Sequence, residues 1–130
     1  MDTPIQEADY DIEVAVNTTY LSEQSAPHKK EFVFAYTITI TNIGRLTARL
    51  MSRHWIITNG NQRVKEVKGK GVIGDQPLIP SGKSYTYSSH VVLETAVGTM
   101  EGSYEMLASD GKLFKVMIDP FSLAVPHAVH

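Results

Sequence analysis

The run Phe32-Val33-Phe34-Ala35-Tyr36-Thr37-Ile38-Thr39-Ile40-Thr41-Asn42 places Phe32, Phe34, Tyr36, Ile38 and Ile40 on one face and threonines on the other. That period of two belongs to an extended strand with one buried side. It recurs along the chain. Ile12, Val14 and Val16 alternate with Asp11, Glu13 and Ala15. From Leu46 to Thr58, strict alternation sets Leu46, Ala48, Leu50, Ser52, His54 and Ile56 against Arg49, Met51, Arg53, Trp55 and Ile57. Asn59-Gly60-Asn61 is a hairpin signal, because asparagine and glycine tolerate positive φ, and a short strand from Arg63 to Val67 returns from it. Tyr85 to Ser89 and Val91 to Leu93 read as extended chain. In the strand from Thr99 to Leu107, Met100, Gly102, Tyr104 and Met106 share a face. Ser109-Asp110-Gly111 turns it into Leu113 to Ile118, which Asp119-Pro120 is expected to end. No window of a dozen residues carries a helical apolar stripe. The pattern predicts an all-β, two-sheet sandwich of about seven antiparallel strands.

At 130 residues the chain has the length of one domain, read as residues 1–130 with an ordered core of about residues 10–126. Residues 1–8 and the last four carry no packing pattern and are expected to fray. A net charge of -2 argues against a nucleic-acid binder, which needs a basic surplus to replace the counterions on phosphate. The basic run Arg63, Lys65, Lys68, Lys70, interrupted by Glu66, reads as one solvated strand face. The absence of cysteine excludes disulfides, thiolate nucleophiles and cysteine zinc sites. The opening residues lack the basic head and apolar stretch of a secretory signal, and no segment approaches a membrane span, so a cytoplasmic protein without membrane insertion is expected.

Gly69-Lys70-Gly71-Val72-Ile73-Gly74 spells the glycine fingerprint of dinucleotide-binding loops. In those folds the glycines open a helix whose first amides and dipole hold a pyrophosphate. Here Asp75-Gln76-Pro77-Leu78-Ile79-Pro80-Ser81-Gly82 follows, and two prolines and a glycine exclude a regular helix. A kinase-type glycine loop would require two lobes that 130 residues cannot supply. Two readings remain: a backbone nest binding an anion through Gly69, Lys70, Gly71 and Gly74, or glycines that let a loop cross the end of a sandwich.

Arg53 and Trp55 share a strand face, with His54 opposite. Facing outward they are candidate interaction residues; facing inward, Trp55 is core and Arg53 calls for a buried carboxylate. The inward reading is favoured. Gln76 and Pro77 extend the candidate interaction region along the glycine loop. His28, His54, His90, His127 and His130 lack metal-site spacing, although a surface site joining His54 or His90 to a carboxylate stays open; no metal or other cofactor is expected. Ser89, His90 and Glu94 come nearest to a triad, but adjacent strand residues point apart. Glu101 and Glu105 share a solvent face, and no catalytic set emerges. Open sheet edges are the remaining functional surface, able to pair with a partner's strand or with a second copy as a homodimer.

Several ordered segments carry a resemblance. Phe34 to Asn42, Ser52-Arg53-His54-Trp55, Val67 to Pro77, Gly98 to Met106 and Phe121-Ser122-Leu123-Ala124-Val125-Pro126 resemble the ApaG family of small bacterial proteins, in the family's order. The likeness runs from about Tyr10 to Pro126. It implies an immunoglobulin-like or fibronectin type III-like sandwich, to which Leu78 to Gly82 followed by Tyr85 adds a local likeness. It also implies a link to cobalt resistance and magnesium efflux, and, through related domains attached to eukaryotic F-box proteins, a role in recruiting another protein. It carries a candidate nucleotide site onto Gly69, Gly71 and Gly74. Pro80-Ser81-Gly82, His90 and Ala96 depart from the family's proline-glycine, glycine and proline.

Overall fold

The computed structural model describes residues 6–127, so the fraying expected of residues 1–5 and 128–130, and His130, lie outside the described residues. Residues 6–9 form a short 3-10 turn, and His127 has a positive φ. Eight strands follow: β1 (Ile12–Tyr20), β2 (Phe32–Asn42), β3 (Ala48–Asn59), β4 (Val64–Lys70), β5 (Leu78–Ile79), β6 (Ser84–Leu93), β7 (Val97–Ala108) and β8 (Leu113–Ala124). All pair antiparallel. One sheet has the order β1-β2-β6; the other runs β4-β3-β7-β8, with β5 also pairing β3. The all-β sandwich read from the alternation is the fold of the chain.

β2 forms where its period of two predicts. Phe34, Tyr36, Ile38 and Ile40 are buried, while Thr37, Thr39 and Thr41 face outward. Those threonines meet the hydroxyls of Ser88, Thr86 and Ser84 on β6 at 2.7, 3.1 and 2.7 Å. The inward face packs on Leu50, Trp55, Met100, Tyr104 and Met106 of the second sheet. The Trp55 indole sits edge-on to Tyr36, Tyr104 and Phe121, with centroids 5.7, 6.2 and 5.9 Å away. Paired hydroxyls of Tyr87 and Tyr104 bridge the sheets inside the core, which satisfies polar groups that burial would otherwise penalise. Burial raises both phenols above their ordinary ionisation range.

Asn42, 1% exposed, fastens the end of β2. Its amide donates to the Leu46 and Ile79 carbonyls at 2.8 Å each and its carbonyl accepts from the Gly44 N–H at 2.9 Å.

Three local expectations are corrected. Strict alternation along β3 would put Leu50 and Trp55 on opposite faces, yet both are buried. The β3–β7 register slips between Leu50 and Ser52, and this bulge at Met51 turns Arg53, Trp55 and Ile57 inward. Asp119-Pro120 does not end β8. The register slips there instead, Met100 facing Phe121 and Gly102 facing Ile118, because an edge strand can absorb a proline at a bulge. The basic run along β4 is not one face: Lys68 and Lys70 stand opposite His54 and Ser52 on the outer side, while Lys65 turns to the other side with Val67.

Candidate functional site

β4 and β6 are edge strands of different sheets, and one flank of the sandwich is open between them. A cleft of about 380 Å³ lies in this seam, lined by Tyr36, Arg53, Trp55, Val67, Ser89 and Val91 among others. It continues into a smaller depression of about 220 Å³ where Ile57, Val64 and Val92 meet. Val64 and Val92 are 64% and 54% exposed. Arg63 and Glu94 reach toward each other at 4.0 Å at the rim. Among the described residues, no strand pairs with the outer edge of either.

The glycine motif closes one end of this seam. Gly69 lies within β4, opposite Arg53, so the motif begins in a strand and not in a loop. The Arg53 guanidinium folds across Gly69: a Cβ there would sit 2.6 Å from Nη1 and 2.7 Å from Cζ and Nη2. Nη1 donates to the carbonyls of Lys70 at 3.2 Å and Gly71 at 2.8 Å. The inward arginine is therefore satisfied by main-chain oxygens, and the buried carboxylate expected for it is not its partner. Beyond Gly71 the chain makes a two-residue hairpin in which Val72 and Asp75 exchange N–H···O bonds of 2.8 and 2.9 Å. Ile73 and Gly74 occupy its centre with φ of 48° and 77°, the primed geometry that matches strand twist. Val72 is fully buried beneath.

Gln76 and Pro77 lock the hairpin down. The Gln76 side chain donates to Met51 O at 2.9 Å, Arg49 donates to Gln76 O at 2.7 Å, and Pro77 O accepts from Leu50 N at 3.0 Å. Asp75 accepts from the Tyr85 hydroxyl at 3.1 Å; burial, then this hydrogen bond, raises the Tyr85 ionisation. The N–H groups of Gly71, Val72 and Asp75 all donate to protein carbonyls.

The structure thus brings Arg53, Trp55, Gly69, Gly71 and Gln76 together around the seam, but as its floor and end wall. Trp55 is 2% exposed, so the favoured inward reading holds and Trp55 is not an outward contact residue: the β3 bulge turns it into the core. Lys70 points away, over Ser52 on the outer face. The exposed edge residues Val64 and Val92 carry no sequence signal as site residues, because nothing local says which strands will be edges.

Of the described histidines, His54 comes within 3.5 Å of Glu66 Oε2. His90 stands on the other sheet beside Ala35, and Ser89 faces inward while His90 is exposed, as the alternation requires. Among the described residues, no three His, Asp or Glu side chains gather as a metal site. No described helix is long and apolar enough to cross a membrane.

Residues 22–108 match the family model of the ApaG domain. The chain belongs to the ApaG family. Protein ApaG from Pseudomonas fluorescens strain Pf0-1 is 60% identical over 121 residues, covering 93% of this chain and 96% of that protein. Protein ApaG from Pseudomonas entomophila strain L48 has the same identity and coverage. A crystal structure described as an ApaA protein from Bordetella pertussis superposes with a TM-score of 0.89 at 47% identity, over 92% of this chain and 97% of that one. The segments that carried the resemblance, β2, the centre of β3, the glycine motif and β7, make up much of the sandwich and the seam.

Proposed function

We propose that this chain is a non-enzymatic, cytoplasmic protein-interaction module, a single ApaG domain that receives an extended segment of another protein in the seam between β4 and β6. The observation that carries this reading is the pair of facing edge strands, each with an outer edge that no described strand pairs and an exposed valine beside a cleft of mixed apolar and charged lining. Such an edge accepts a partner strand by main-chain pairing, and the cleft takes its alternate side chains. The strand order β1-β2-β6 over β4-β3-β7-β8 supports the fibronectin type III-like reading of the sandwich. The family resemblance supplies the link to cobalt and magnesium homeostasis, which on this reading acts through the bound partner.

The test places a photo-crosslinking residue at Val92 in living cells. A discrete adduct is expected, lost when Val64→Lys is added, and the Val64→Lys chain should not restore cobalt tolerance to a strain lacking the protein. Absence of any adduct at Val92, or an adduct indifferent to Val64→Lys, would overturn the seam as the receiving site.

A further inference from the structure

The outer face of the β4-β3-β7-β8 sheet holds a second feature, which borders the seam at Arg53 and Gly69. A shallow concavity of about 510 Å³ crosses all four strands. The register fixes its rows: Lys70, Ser52, Glu105 and Lys115 stand side by side, and Lys68, His54, Ser103 and Met117 form the next row. In the row beyond, Glu66 and Glu101 flank Ile56. The face is therefore electrically divided, with three lysines against one carboxylate at one end and two glutamates at the other.

The lysines are unspent. Among the described residues, no carboxylate comes within 4.0 Å of the Lys68, Lys70 or Lys115 ammonium groups. This local surplus sits on a chain of net charge -2, so it is not a by-product of general basicity. At the centre, His54 Nε2 is shielded from solvent and lies 3.5 Å from Glu66 Oε2. Beside it Met117 is 68% exposed and, along the same edge strand, Leu113 is 54% exposed.

We infer that this face docks an acidic protein segment carrying an apolar anchor. Its carboxylates lie over Lys68, Lys70 and Lys115, and its apolar side chain covers Met117. Charge complementarity selects this occupant: the lysine row attracts acid, whereas Glu105, Glu66 and Glu101 repel a continuous polyanion such as nucleic acid. The exposed methionine offers adaptable contact area that a small inorganic anion would leave unused. The inference rests on the reading of the chain as a protein-interaction module, but its lysines and Met117 stand on the outer face and not among the residues lining the seam.

The test pans a displayed library of random short peptides against the full chain, then maps the recovered peptides by amide chemical shifts. Enrichment of Asp/Glu-rich peptides with an apolar residue, shifting Ser52, His54, Ser103 and Met117, is expected. Lys70→Glu with Lys115→Glu should weaken those peptides at least about tenfold and Glu105→Gln should tighten them, with weakening as salt is raised. Lys70→Gln with Lys115→Gln serves if the reversed chain unfolds, as read by Trp55 fluorescence. No enrichment, a consensus without acid, shifts confined to another surface, or affinity indifferent to these substitutions would overturn the inference. An adduct at Val92 in that event would leave the seam reading standing.

Discussion

Gly69→Ala, made with and without Arg53→Met, tests what the glycine fingerprint does in this fold. Gly69 has no positive φ, so alanine fits its backbone, and the obstacle is the guanidinium 2.6 to 2.7 Å from the new Cβ. Ordinary contact requires the guanidinium to retreat by most of an ångström, which breaks the bonds of 2.8 and 3.2 Å to Gly71 O and Lys70 O. A hydrogen bond from a charged donor contributes about 1.5–3 kcal/mol. Because the arginine is only half-buried and can recover water, the loss is about 2 kcal/mol for the pair. Alanine in a strand interior returns roughly 0.5 kcal/mol relative to glycine. Gly69→Ala should therefore destabilise by about 1.5 kcal/mol, and in the Arg53→Met chain it should stabilise by roughly 0.5 kcal/mol, a coupling of about 2 kcal/mol.

Urea unfolding followed by the fluorescence of Trp55, the single tryptophan and 2% exposed, reads this directly. With a slope of about 1–3 kcal/mol per molar, the single substitution should lower the midpoint by about 1 M. An equal cost of Gly69→Ala in both backgrounds would refute the reasoning, since the clash would then lie with something other than the arginine.

Asn42→Ala strands the Leu46 and Ile79 carbonyls, while the Gly44 N–H keeps the Asp11 carbonyl at 2.9 Å, and should cost about 2 kcal/mol in the same urea assay. Ile73→Asn should stabilise by about 1 kcal/mol, because asparagine accepts the positive φ that a β-branched side chain resists, and Ile73 is 58% exposed; a lower midpoint would show that its packing outweighs the strain. Tyr87 and Tyr104 should stay protonated where exposed phenols ionise, so an ultraviolet titration should show fewer than the six tyrosines of the chain titrating around pH 10 in the folded protein. Burial raises their folded-state ionisation above the unfolded value of 10.0, so their stabilisation is fully present below that pH and is lost as pH rises beyond it. Unfolding midpoints that hold steady above pH 10 would contradict the buried pair.

β2 was legible because the pattern is local: a residue and its second neighbour share a face whatever the strand pairs with. The same rule failed on β3, because the bulge at Met51 is a property of two strands at once. Leu46 to Ile57 starts with Leu46, Ala48 and Leu50 on one face, but Ser52 and His54 follow on that face while Trp55 and Ile57 fall on the other, and the bulge lets Leu50 and Trp55 both enter the core. Asp119-Pro120 misled for a related reason. Proline removes a donor, which ends a central strand, but β8 is an edge and that consequence depends on sheet order. The seam was invisible for the same cause, since Val64 and Val92 become a site only once β4 and β6 are known to be facing edges.

The glycine motif shows how one spelling serves opposite electrostatics. At a helix N-terminus the glycines let backbone amides close on a phosphate, and the loop presents N–H groups to an anion. Here the absent Cβ at Gly69 admits a cation from the same chain, and the loop turns the carbonyl oxygens of Lys70 and Gly71 toward it. Three of the motif's following amides, at Gly71, Val72 and Asp75, already donate to carbonyls. A phosphate approaching the guanidinium would compete with two oxygens placed on it by the hairpin. The arginine, the bulge that turns it inward and the glycine that makes room for it form one unit. Removing the arginine should therefore move the hairpin: Arg53→Met takes away the donor to Lys70 O and Gly71 O, leaves Trp55 in the core, and releases the 71–76 hairpin. Exchange of the Val72 and Asp75 amides should then rise by orders of magnitude while those of β2 stay protected. Retained protection at Val72 would show that the hairpin holds itself, independently of the arginine.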